Sequence, residues 1–492
     1  MCGIVGIIGK EGVSIHLLEA LRRLEYRGYD SAGIATLSDG KIKRRRAEGK
    51  LSNLTTLLER DPLAGSIGIG HTRWATHGIP NEINAHPHAT EKVAIVHNGI
   101  IENFQTLRDE LVEAGADLAS ETDTEVVAHL ITKFLKDGLS PERATAAALN
   151  RLEGAFALGI IFAGENDLMI AARQGSPLAV GYGNGEMFIG SDALALAPLS
   201  QNITYLEEGD WALVTRSGVT VNNASGQKVV RAIQETKLSG ALTGKAGYKH
   251  FMQKEIYEQP QVIGDTLHSF VNMADNTITL PELSIDFNNL SKITIAACGT
   301  AYYAGLIAKY WFEKIAQVSV EVDIASEFRY REMVLPEGGL AILISQSGET
   351  ADTLAALRYC RDQGQTILSI INVPESTIAR ESDAVLHTYA GPEIGVASTK
   401  AFTTQLTVLA TLTIVMARVR GVIDAKKEAA LAEALLEVPA RVSDVLNHDE
   451  DLRKLAVELA SARDVLFLGR GTSYPIALEG ALKLKEISYI HA

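Results

Sequence analysis

The second residue of the chain combines a nucleophile with a base if the initiator methionine is removed. The sequence opens Met1-Cys2-Gly3-Ile4, so loss of Met1 leaves a thiol and a free α-amine on Cys2. An α-amine has a pKa of roughly 7.7 to 8, so near neutral pH it can accept the thiol proton. The alternative is a small buried residue that opens a strand, because unreactive buried thiols are common.

A dense polar and aromatic stretch lies between residues 67 and 99. It contains the run His71-Thr72-Arg73-Trp74-Ala75-Thr76-His77-Gly78 and, further on, His97-Asn98-Gly99. Five of the twelve histidines fall between residues 71 and 97, which raises the question of a metal site. Their spacing fits no helical HxxxH arrangement, and Pro and Gly interrupt the stretch, so loops without a metal are favoured.

Two short motifs after this stretch each allow a structural and a chemical interpretation. Asn98-Gly99 fits a hairpin turn, but it can also present an amide side chain and a backbone N–H as the two donors of an oxyanion hole. Glu121-Thr122-Asp123 fits the start of a helix. Asp123 together with Arg73 would also suit the α-amine and α-carboxylate of a free amino acid.

These motifs, taken together and in this order, resemble the class II glutamine amidotransferase domain, an α+β N-terminal-nucleophile hydrolase sandwich. The resemblance implies that Cys2 attacks the side-chain amide of glutamine and that Asn98 and Gly99 stabilise the oxyanion. It also implies a set of residues that hold glutamine, namely Arg73, Trp74, Thr76, His77 and Asp123.

The first 240 residues alternate short predicted strands with amphipathic helices. Strands are predicted over residues 3–8, 33–37, 66–70 and 93–97. A helix over residues 14–24 would place Ile15, Leu18 and Leu21 on one buried stripe. The basic run at residues 41–46 is predicted to be a solvated strand or turn.

Composition indicates a multidomain globular protein. With 492 residues, 46% hydrophobic and 22% charged, the chain exceeds a single core. The net charge of −14 argues against a partner that is a nucleic acid or an anionic membrane. Three scattered cysteines and no basic leader favour a reducing, cytoplasmic location. The apolar run at residues 406–416 is too short to span a bilayer and is predicted to be a buried helix.

From residue 292 the pattern changes to apolar strands alternating with helices, which predicts a doubly wound parallel α/β sheet. The strand at residues 340–344 leads into Ser345-Gln346-Ser347-Gly348-Glu349-Thr350 and then a helix. Hydroxyls, backbone N–H groups and a helix N-terminus at the carboxyl end of such a strand can bind a phosphate. A serine-rich helix cap is the equally weighted alternative.

The segment 293–302 then recurs at residues 465–474, with a strand, a Gly-Thr-x-Tyr motif and a helix in the same order. This duplication resembles tandem sugar isomerase (SIS) domains. An amidotransferase domain followed by two such domains is similar to the glutamine:fructose-6-phosphate aminotransferase family over essentially the whole chain. That family makes glucosamine 6-phosphate and glutamate, the first step of hexosamine synthesis.

The resemblance implies roles in the second half of the chain. Thr300, Ser345, Gln346, Ser347 and Thr350 would surround the sugar phosphate. Lys483 and Glu486 would act at the sugar, with Glu486 moving a proton between C1 and C2. From the residues alone, a surface ion pair three positions apart on a helix is favoured instead.

The predicted organisation is an amidotransferase domain at 2–240, a connector at 241–290, a first SIS domain at 291–430 and the start of a second at 455–492. The family implies a homodimer that uses only glutamine and fructose 6-phosphate, without a metal or organic cofactor. Other class II amidotransferases are less compatible, because the SGGxDS loop of asparagine synthetases and the DDSxxRGTT-type loop of phosphoribosyl amidotransferases are missing from the sequence.

Two departures from the family pattern leave alternatives open. Ala301 stands where the repeat carries Ser473, which removes one hydroxyl. The second SIS module reaches Ala492 after one predicted strand and helix, without counterparts of the family's ring-opening histidine and Schiff-base lysine. We therefore expect a C-terminally incomplete enzyme, and a glutaminase that lacks the amination step is the alternative. A second alternative is a binding protein that senses a sugar phosphate without converting it.

Overall fold

The computed structural model describes residues 2–25, 28, 30–75, 77–236 and 244–492. The chain divides into two compact units, residues 1–242 and 243–492. Each unit has its own sheets and apolar cores.

The first unit is built from short strands and a few helices. Its strands are β1 (Gly3–Ile8), β2 (Ser31–Ser38), β3 (Lys41–Glu48), β4 (Ile67–Arg73), β5 (His88–Ala89), β6 (Val93–Ile101), β7 (Gly154–Phe162), β8 (Met169–Gln174), β9 (Ala179–Tyr182), β10 (Met187–Gly190), β11 (Asn202–Tyr205), β12 (Trp211–Thr215), β13 (Gly218–Asn222), β14 (Lys228–Val229) and β15 (Gln234–Glu235). Its helices are α1 (Ser14–Arg22), α2 (Leu51–Arg60), α3 (Phe104–Glu113), α4 (Asp123–Lys136), α5 (Pro141–Leu149) and α6 (Ala193–Leu196).

These elements form a four-layer sandwich. One antiparallel sheet has the order β15-β11-β9-β10-β1-β4-β2-β3, and the other has the order β14-β13-β12-β8-β7-β6-β5. Their facing sides share one apolar core, to which Ile4 and Ile69 contribute from the first sheet and Val96 and Ile161 from the second. Helices α1 and α2 cover the outer side of the first sheet, and α3 to α5 cover the second. The sandwich fold is thereby confirmed.

Strand β1 lies in the middle of its sheet, and every residue in it is buried. Because side chains alternate along a strand, Ile4 and Ile8 enter the core between the sheets while Val5 and Ile7 pack under the helices. Covering on both faces explains why β1 is apolar throughout instead of alternating with polar residues.

Helix α1 corrects one sequence prediction. Leu18 and Leu21 are buried as expected, but Ile15 is 67% exposed and Leu17 is buried in its place. At about 100° per residue, Ile15 lies about 160° around the helix from Leu17, outside the arc that faces the sheet. The strand predicted for the basic run is confirmed, because the run lies in the edge strand β3, which pairs with β2. The predicted solvation holds for Lys41 and Lys43, whereas Arg44, Arg45 and Arg46 are half-buried.

The second unit contains more helix. Its strands are β16 (Val271–Asn272), β17 (Thr277–Ile278), β18 (Ile293–Ala297), β19 (Val320–Ile324), β20 (Leu340–Ser345), β21 (Thr366–Ile371) and β22 (Ala384–His387). Its helices are α7 (Phe251–His268), α8 (Gly299–Trp311) continued by a π-helical turn (Phe312–Ala316), α9 (Ala325–Phe328), α10 (Ala351–Asp362), α11 (Thr377–Glu381), α12 (Lys400–Val419), α13 (Ala425–Leu436), α14 (Val438–Leu446), α15 (Asp449–Leu459) and α16 (Ser473–Ser488).

The main sheet of this unit is parallel, with the order β19-β18-β20-β21-β22. Helices α7, α8, α12 and α13 cover one face, and α9 to α11 cover the other. This is the doubly wound arrangement predicted from the alternating pattern. The carboxyl ends of β18 and β20 lie side by side, because Ile293 is opposite Leu340 in register.

Helix α12 is longer than the apolar run that predicted it. Among the helices that the structure describes, it is the one long and apolar enough to cross a membrane by length and composition. Its most apolar window is 67% buried within the unit, and core helices commonly pass the same test. The predicted burial of this segment is confirmed.

The strand predicted at the start of the second SIS module is not formed. Residues 465–470 are irregular, and Leu466 and Leu468 are 87% and 89% exposed. The segment makes one isolated bridge, between Asp464 and His491. A strand of this kind needs a pairing neighbour, and the structure describes none beside it. The helix that follows, α16, is present as predicted.

Candidate functional site

Cys2 immediately precedes the central strand β1 and contacts the end of β4. Because β1 and β4 are antiparallel with Gly3 opposite Thr72, Cys2 lies beside the residues that end β4. The N–H of Trp74 donates to Cys2 Sγ at 3.2 Å, and Sγ lies 3.4 Å from Trp74 O. Burial raises the pKa of the Cys2 thiol, and the hydrogen bond at Trp74 opposes that rise. A thiol with a raised pKa needs a base to become a nucleophile.

Asn98 and Gly99 form no hairpin turn. They lie inside β6, where they pair with Ala157 and Phe156 of β7. Asn98 Nδ2 donates to Cys2 O at 3.0 Å, so the structure brings these two predicted residues together. Gly99 has φ +122°, and a Cβ there would lie 2.0 Å from Ala155 O, which explains why glycine occupies the position.

Two of the residues predicted to hold glutamine are buried at the ends of β4 and β6. The buried guanidinium of Arg73 donates to the carbonyl oxygens of His77, Gly78 and Ile79. Asp123, also buried, accepts from Ile101 N at 2.9 Å through Oδ2. Within the described residues, Arg73 and Asp123 share no hydrogen bond or ion pair.

The remaining members of this predicted set are less enclosed. Trp74 is 43% exposed, and the His77 ring packs edge-on against Phe104 with the ring centroids 5.2 Å apart. Thr76 lies outside the described residues.

The helix-cap interpretation of residues 121–123 is also confirmed. Thr122 is the N-cap of α4, and its side chain accepts from Glu125 N. Asp123 is the first residue of that helix, so one short motif both caps the helix and delivers a buried carboxylate.

Sequence reasoning missed how the histidines pack. His71, His86, His88 and His97 are all buried, and they contact one another, backbone atoms, the hydroxyls of two threonines, the side-chain oxygen of Asn98 and the carboxylate of Asp123. Burial lowers the pKa of all four rings. The cluster is therefore neutral near pH 7. No group of metal-ligating side chains of suitable geometry occurs within the described ranges.

In the second unit, residues 345–350 form a tight loop between β20 and α10. Ser345 Oγ accepts from Gly348 N at 3.0 Å and lies 3.1 Å from Thr350 Oγ1, while Ser347 Oγ accepts from Glu349 N at 3.2 Å. Gln346 is half-buried. The loop thus gathers hydroxyls and backbone N–H groups at a helix N-terminus, which suits an anion.

The start of α8 carries the second cluster of this unit. Lys483 Nζ donates to Thr300 Oγ1 at 2.8 Å and lies 2.7 Å from Glu486 Oε2. Thr300 Oγ1 in turn donates to Glu479 Oε1 at 3.0 Å. The ion pair forms, but the Lys483 side chain is only 18% exposed, so a simple surface pair does not describe it.

Glu479 is the residue that sequence reasoning missed here. It lies one turn before Lys483 on α16, 3.4 Å from its Nζ, and it is 6% exposed. Burial raises the pKa of the Glu479 carboxyl, and Lys483 opposes that rise. The spacing of four residues on the same helix face was the available signal.

Comparisons with known proteins find similar domains in both halves of the chain. A family model described as "SIS domain" matches residues 286–415 and 458–492, and one described as "Glutamine amidotransferase domain" matches residues 71–198. A solved C-terminal domain of glucosamine-fructose-6-phosphate aminotransferase from Francisella tularensis is 47% identical, with a TM-score of 0.49, and the match covers 51% of this chain and 71% of that one.

Curated relatives match over the full chain. Glutamine--fructose-6-phosphate aminotransferase [isomerizing] of Bradyrhizobium diazoefficiens is 60% identical, and that of Zymomonas mobilis is 57% identical. Each alignment covers 100% of this chain and 81% of the relative. At this identity and coverage, the chain belongs to the glutamine–fructose-6-phosphate aminotransferase (isomerising) family.

Proposed function

We propose that this protein converts glutamine and fructose 6-phosphate to glutamate and glucosamine 6-phosphate. The observation that supports the proposal is the contact of Asn98 Nδ2 with Cys2 O at the end of a central strand, which is compatible with Asn98 as an oxyanion donor and Cys2 as the nucleophile. The names of the relatives support the full reaction in preference to a glutaminase without amination.

Removal of Met1 first frees the α-amine of Cys2. In the glutaminase half-reaction, this amine then accepts the thiol proton. The thiolate attacks the side-chain amide of glutamine, ammonia leaves, and water hydrolyses the thioester to release glutamate. Asn98 Nδ2 and the N–H of Gly99 stabilise the oxyanion of each tetrahedral intermediate. Arg73, Trp74, Thr76, His77 and Asp123 hold the substrate, with the α-carboxylate at Arg73 and the α-amine at Asp123.

In the sugar half-reaction, the loop from Ser345 to Thr350, with Gln346 and Ser347, binds the phosphate. Its support is the convergence of hydroxyls and N–H groups at the N-terminus of α10. Thr300 completes the site from the adjacent strand end. Glu486 carries the proton between C1 and C2, and Lys483 neutralises charge that develops on the sugar oxygen.

The experiment compares the intact mass and glutamate release of the wild-type protein with those of Cys2→Ala. We expect the mass of a chain without Met1 and glutamate release that disappears in Cys2→Ala. Cys360→Ala is the matched control, because Cys360 is buried in the second unit and should leave glutamate release intact. Retention of Met1, or full activity of Cys2→Ala, would contradict the proposal.

Adding fructose 6-phosphate to the same assay tests the second half-reaction. We expect glucosamine 6-phosphate to accumulate in proportion to the glutamate released. Tight binding of fructose 6-phosphate by titration calorimetry without any amino sugar would favour a sensor. Glutamate without amino sugar would favour the glutaminase alternative.

We also propose that the protein works as a homodimer in the cytoplasm, without nucleic acid or membrane partners. The family resemblance supports the dimer, and the acidic net charge of −14 and the three free cysteines support the location and the absence of anionic partners. Sedimentation velocity should give twice the chain mass, and fractionation of the source cells should leave the protein in the supernatant.

A further inference from the structure

We infer that His71 is a positioning residue for glutamine hydrolysis, because it fixes the side-chain amide of Asn98 with Nδ2 towards Cys2. The inference rests on the proposed glutaminase activity. His71 lies in β4, opposite Ile4 of β1, and is completely buried. Its Nε2 is 2.9 Å from His97 O and 3.1 Å from Asn98 Oδ1.

Two backbone carbonyls determine how these side chains are oriented. His97 O can only accept a hydrogen bond, so the His71 Nε2 beside it must carry the hydrogen. The Asn98 atom next to that N–H must then be the acceptor, Oδ1. At the other end of the amide, Cys2 O can also only accept, so the atom 3.0 Å away must be the donor Nδ2. Both ends of the chain of contacts give the same orientation.

A reversed amide would make unfavourable contacts at both ends. Nδ2 would face the N–H of His71, and Oδ1 would face Cys2 O, so two hydrogen bonds would become repulsions in a buried site. In the observed orientation, one N–H of Asn98 Nδ2 is donated to Cys2 O. The structure assigns no further acceptor to its second N–H among the described residues, so that N–H can serve the oxyanion.

The surroundings of His71 keep its ring neutral and fix its orientation. The ring stacks on His86 with the centroids 4.1 Å apart. Its Nδ1 is buried and has no hydrogen-bond partner in the part of the chain that the structure describes. A second proton would therefore place an unpaired charged donor in the core, and burial accordingly lowers the pKa of His71 to about 3. The single N–H stays on Nε2 throughout the physiological range.

His71 acts through Asn98, since its hydrogen bonds go to Asn98 and to the backbone of His97. Loss of its N–H should leave glutamine binding intact and weaken only the stabilisation of the oxyanion. This separates a positioning role from a merely structural one, which would affect substrate binding and folding instead.

The test measures glutamate release and the affinity for the γ-aldehyde analogue of glutamine in His71→Leu. The thiolate adds to the aldehyde carbon, and the carbonyl oxygen becomes a tetrahedral oxyanion that the same donors bind. We expect kcat and aldehyde affinity to fall about 10- to 100-fold, somewhat less than the effect of removing an oxyanion donor outright. The KM for glutamine should change by less than about threefold, as expected when ground-state binding is kept.

Two further variants separate the hydrogen bond from the ring. His71→Gln places an amide N–H near the Nε2 position and should recover most of the lost affinity. His88→Leu removes another buried imidazole of the cluster, one whose Nε2 contacts Thr122, and should leave the aldehyde affinity within about threefold of wild type. If His71→Leu does not fold, His71→Asn replaces it, because its shorter amide cannot reach Asn98.

A double-mutant cycle with Asn98→Ala gives the decisive result. If His71 works through Asn98, His71→Leu should lower kcat by less than about twofold once Asn98 is alanine. An equal loss in both backgrounds, or an unchanged aldehyde affinity in folded His71→Leu, would overturn the inference. A wild-type protein that releases no glutamate would instead contradict the proposed function itself.

Discussion

The two candidate sites position their reactive groups in different ways. In the first unit, Cys2 precedes a central strand and Asn98 lies in one. Cys2 Sγ accepts from the backbone N–H of Trp74, and Asn98 donates to the backbone oxygen of Cys2. In the second unit, Lys483 sits between two carboxylates on one helix and is held by side chains. Backbone contacts therefore hold the uncharged Cys2 and Asn98 in the first site, whereas charge balance holds Lys483 in the second.

The difference has a consequence for substitution. A contact to a backbone atom survives replacement of that residue's side chain, so the first site should be sensitive to its reactive groups and to His71, which orients the side chain of Asn98. An ion pair loses its function when either partner is neutralised, and a buried partner left alone is costly. The two sites should therefore respond to different kinds of change.

Neutralising Glu486 should have the largest effect and should be confined to the sugar reaction. In Glu486→Gln, we expect glucosamine 6-phosphate formation to fall about 10²- to 10⁴-fold, the range of a lost general base. Glutamate release should change by less than about twofold, because no part of that site is altered. Exchange of a C1 proton of fructose 6-phosphate with D₂O measures the step directly.

The control for this variant is Glu437→Gln, which breaks an exposed ion pair with Arg441 on α14. Such a pair is worth at most about 1 kcal/mol, so both activities should stay near wild type. Equal behaviour of the two variants would mean that Lys483 and Glu486 form no more than a surface pair.

Removing the Asn98 amide should have the next largest effect and should be confined to the glutaminase. We expect Asn98→Ala to lower kcat for glutamate release about 10²- to 10³-fold with little change in KM. Asn222→Ala, at a buried asparagine of the same unit, is the control and should retain activity. A change mainly in KM would assign Asn98 to substrate binding instead.

The sequence predicted those parts of the molecule that depend on local pattern. Strand β1 has the predicted bounds, and the strands at β18 and β20 were placed within a residue or so, because apolar runs between turn residues are strong signals. The pairing of Cys2 with Asn98, 96 residues apart, came from the family resemblance, since nothing in local periodicity fixes it.

Parts that depend on tertiary contacts were wrong or were missed. Leu466 and Leu468 suggest a strand, but a strand forms only with a neighbour to pair with. His71 was included only in a possible metal cluster, and its hydrogen bond to Asn98 requires β4 of the first sheet to face β6 of the second. Glu479 is an ordinary helix carboxylate until Thr300 is packed against it.

Each site contains a glycine at which a side chain would clash. Replacing that glycine should have a smaller effect, measured as a loss of stability. A Cβ at Gly99 would lie 2.0 Å from Ala155 O, and one at Gly348 would lie 1.9 Å from Ser376 Oγ. Both residues have positive φ, a conformation that costs a residue with a Cβ roughly 1–2 kcal/mol before any clash. We expect alanine at either position to lower the free energy of unfolding by more than this.

The two glycine variants should differ in their loss of stability, because a Cβ at Gly99 would meet only strand backbone atoms. A Cβ at Gly348 would meet side-chain atoms of Ser376, of which the hydroxyl can rotate away while Cβ, at 2.5 Å, cannot. Urea unfolding of Gly99→Ala should therefore show the greater loss. Gly164→Ala, where φ is also positive but a Cβ would meet no atom within 4 Å, isolates the backbone cost alone. Losses no larger than that of Gly164→Ala would show that neither site constrains its glycine sterically.

The last prediction concerns the pH dependence of stability, and it contrasts the two units directly. The buried histidines of the first unit have lowered pKa values, so below pH 6.5 the unfolded chain binds protons that the folded unit excludes. The stability that these neutral histidines contribute is fully present above about pH 6.5. As the pH falls from there towards the pKa of the folded state, each histidine lowers the free energy of unfolding by up to about 1.4 kcal/mol per pH unit.

Glu255 and Glu479 of the second unit shift in the opposite direction. Burial raises the pKa of both carboxyls, so their contribution is lost as pH rises and is recovered as it falls. Burial also lowers the pKa of His387 in the second unit. This histidine gives the second unit a weaker loss of stability at low pH than the four buried histidines give the first. Lowering the pH from 7.5 to 5.5 should therefore weaken the first unit more than the second.

Hydrogen exchange measured by mass spectrometry can resolve this contrast, since peptides from β4 and β6 report the first unit and peptides from β18 and β20 report the second. We expect protection of β4 and β6 to fall at pH 5.5, after correction for intrinsic exchange, while β18 and β20 change less. His88→Leu removes one titrating ring and should flatten the response of the first unit. Equal responses of both units would mean that the histidine cluster takes up protons without unfolding, and the neutral character assigned to the first site would then be wrong.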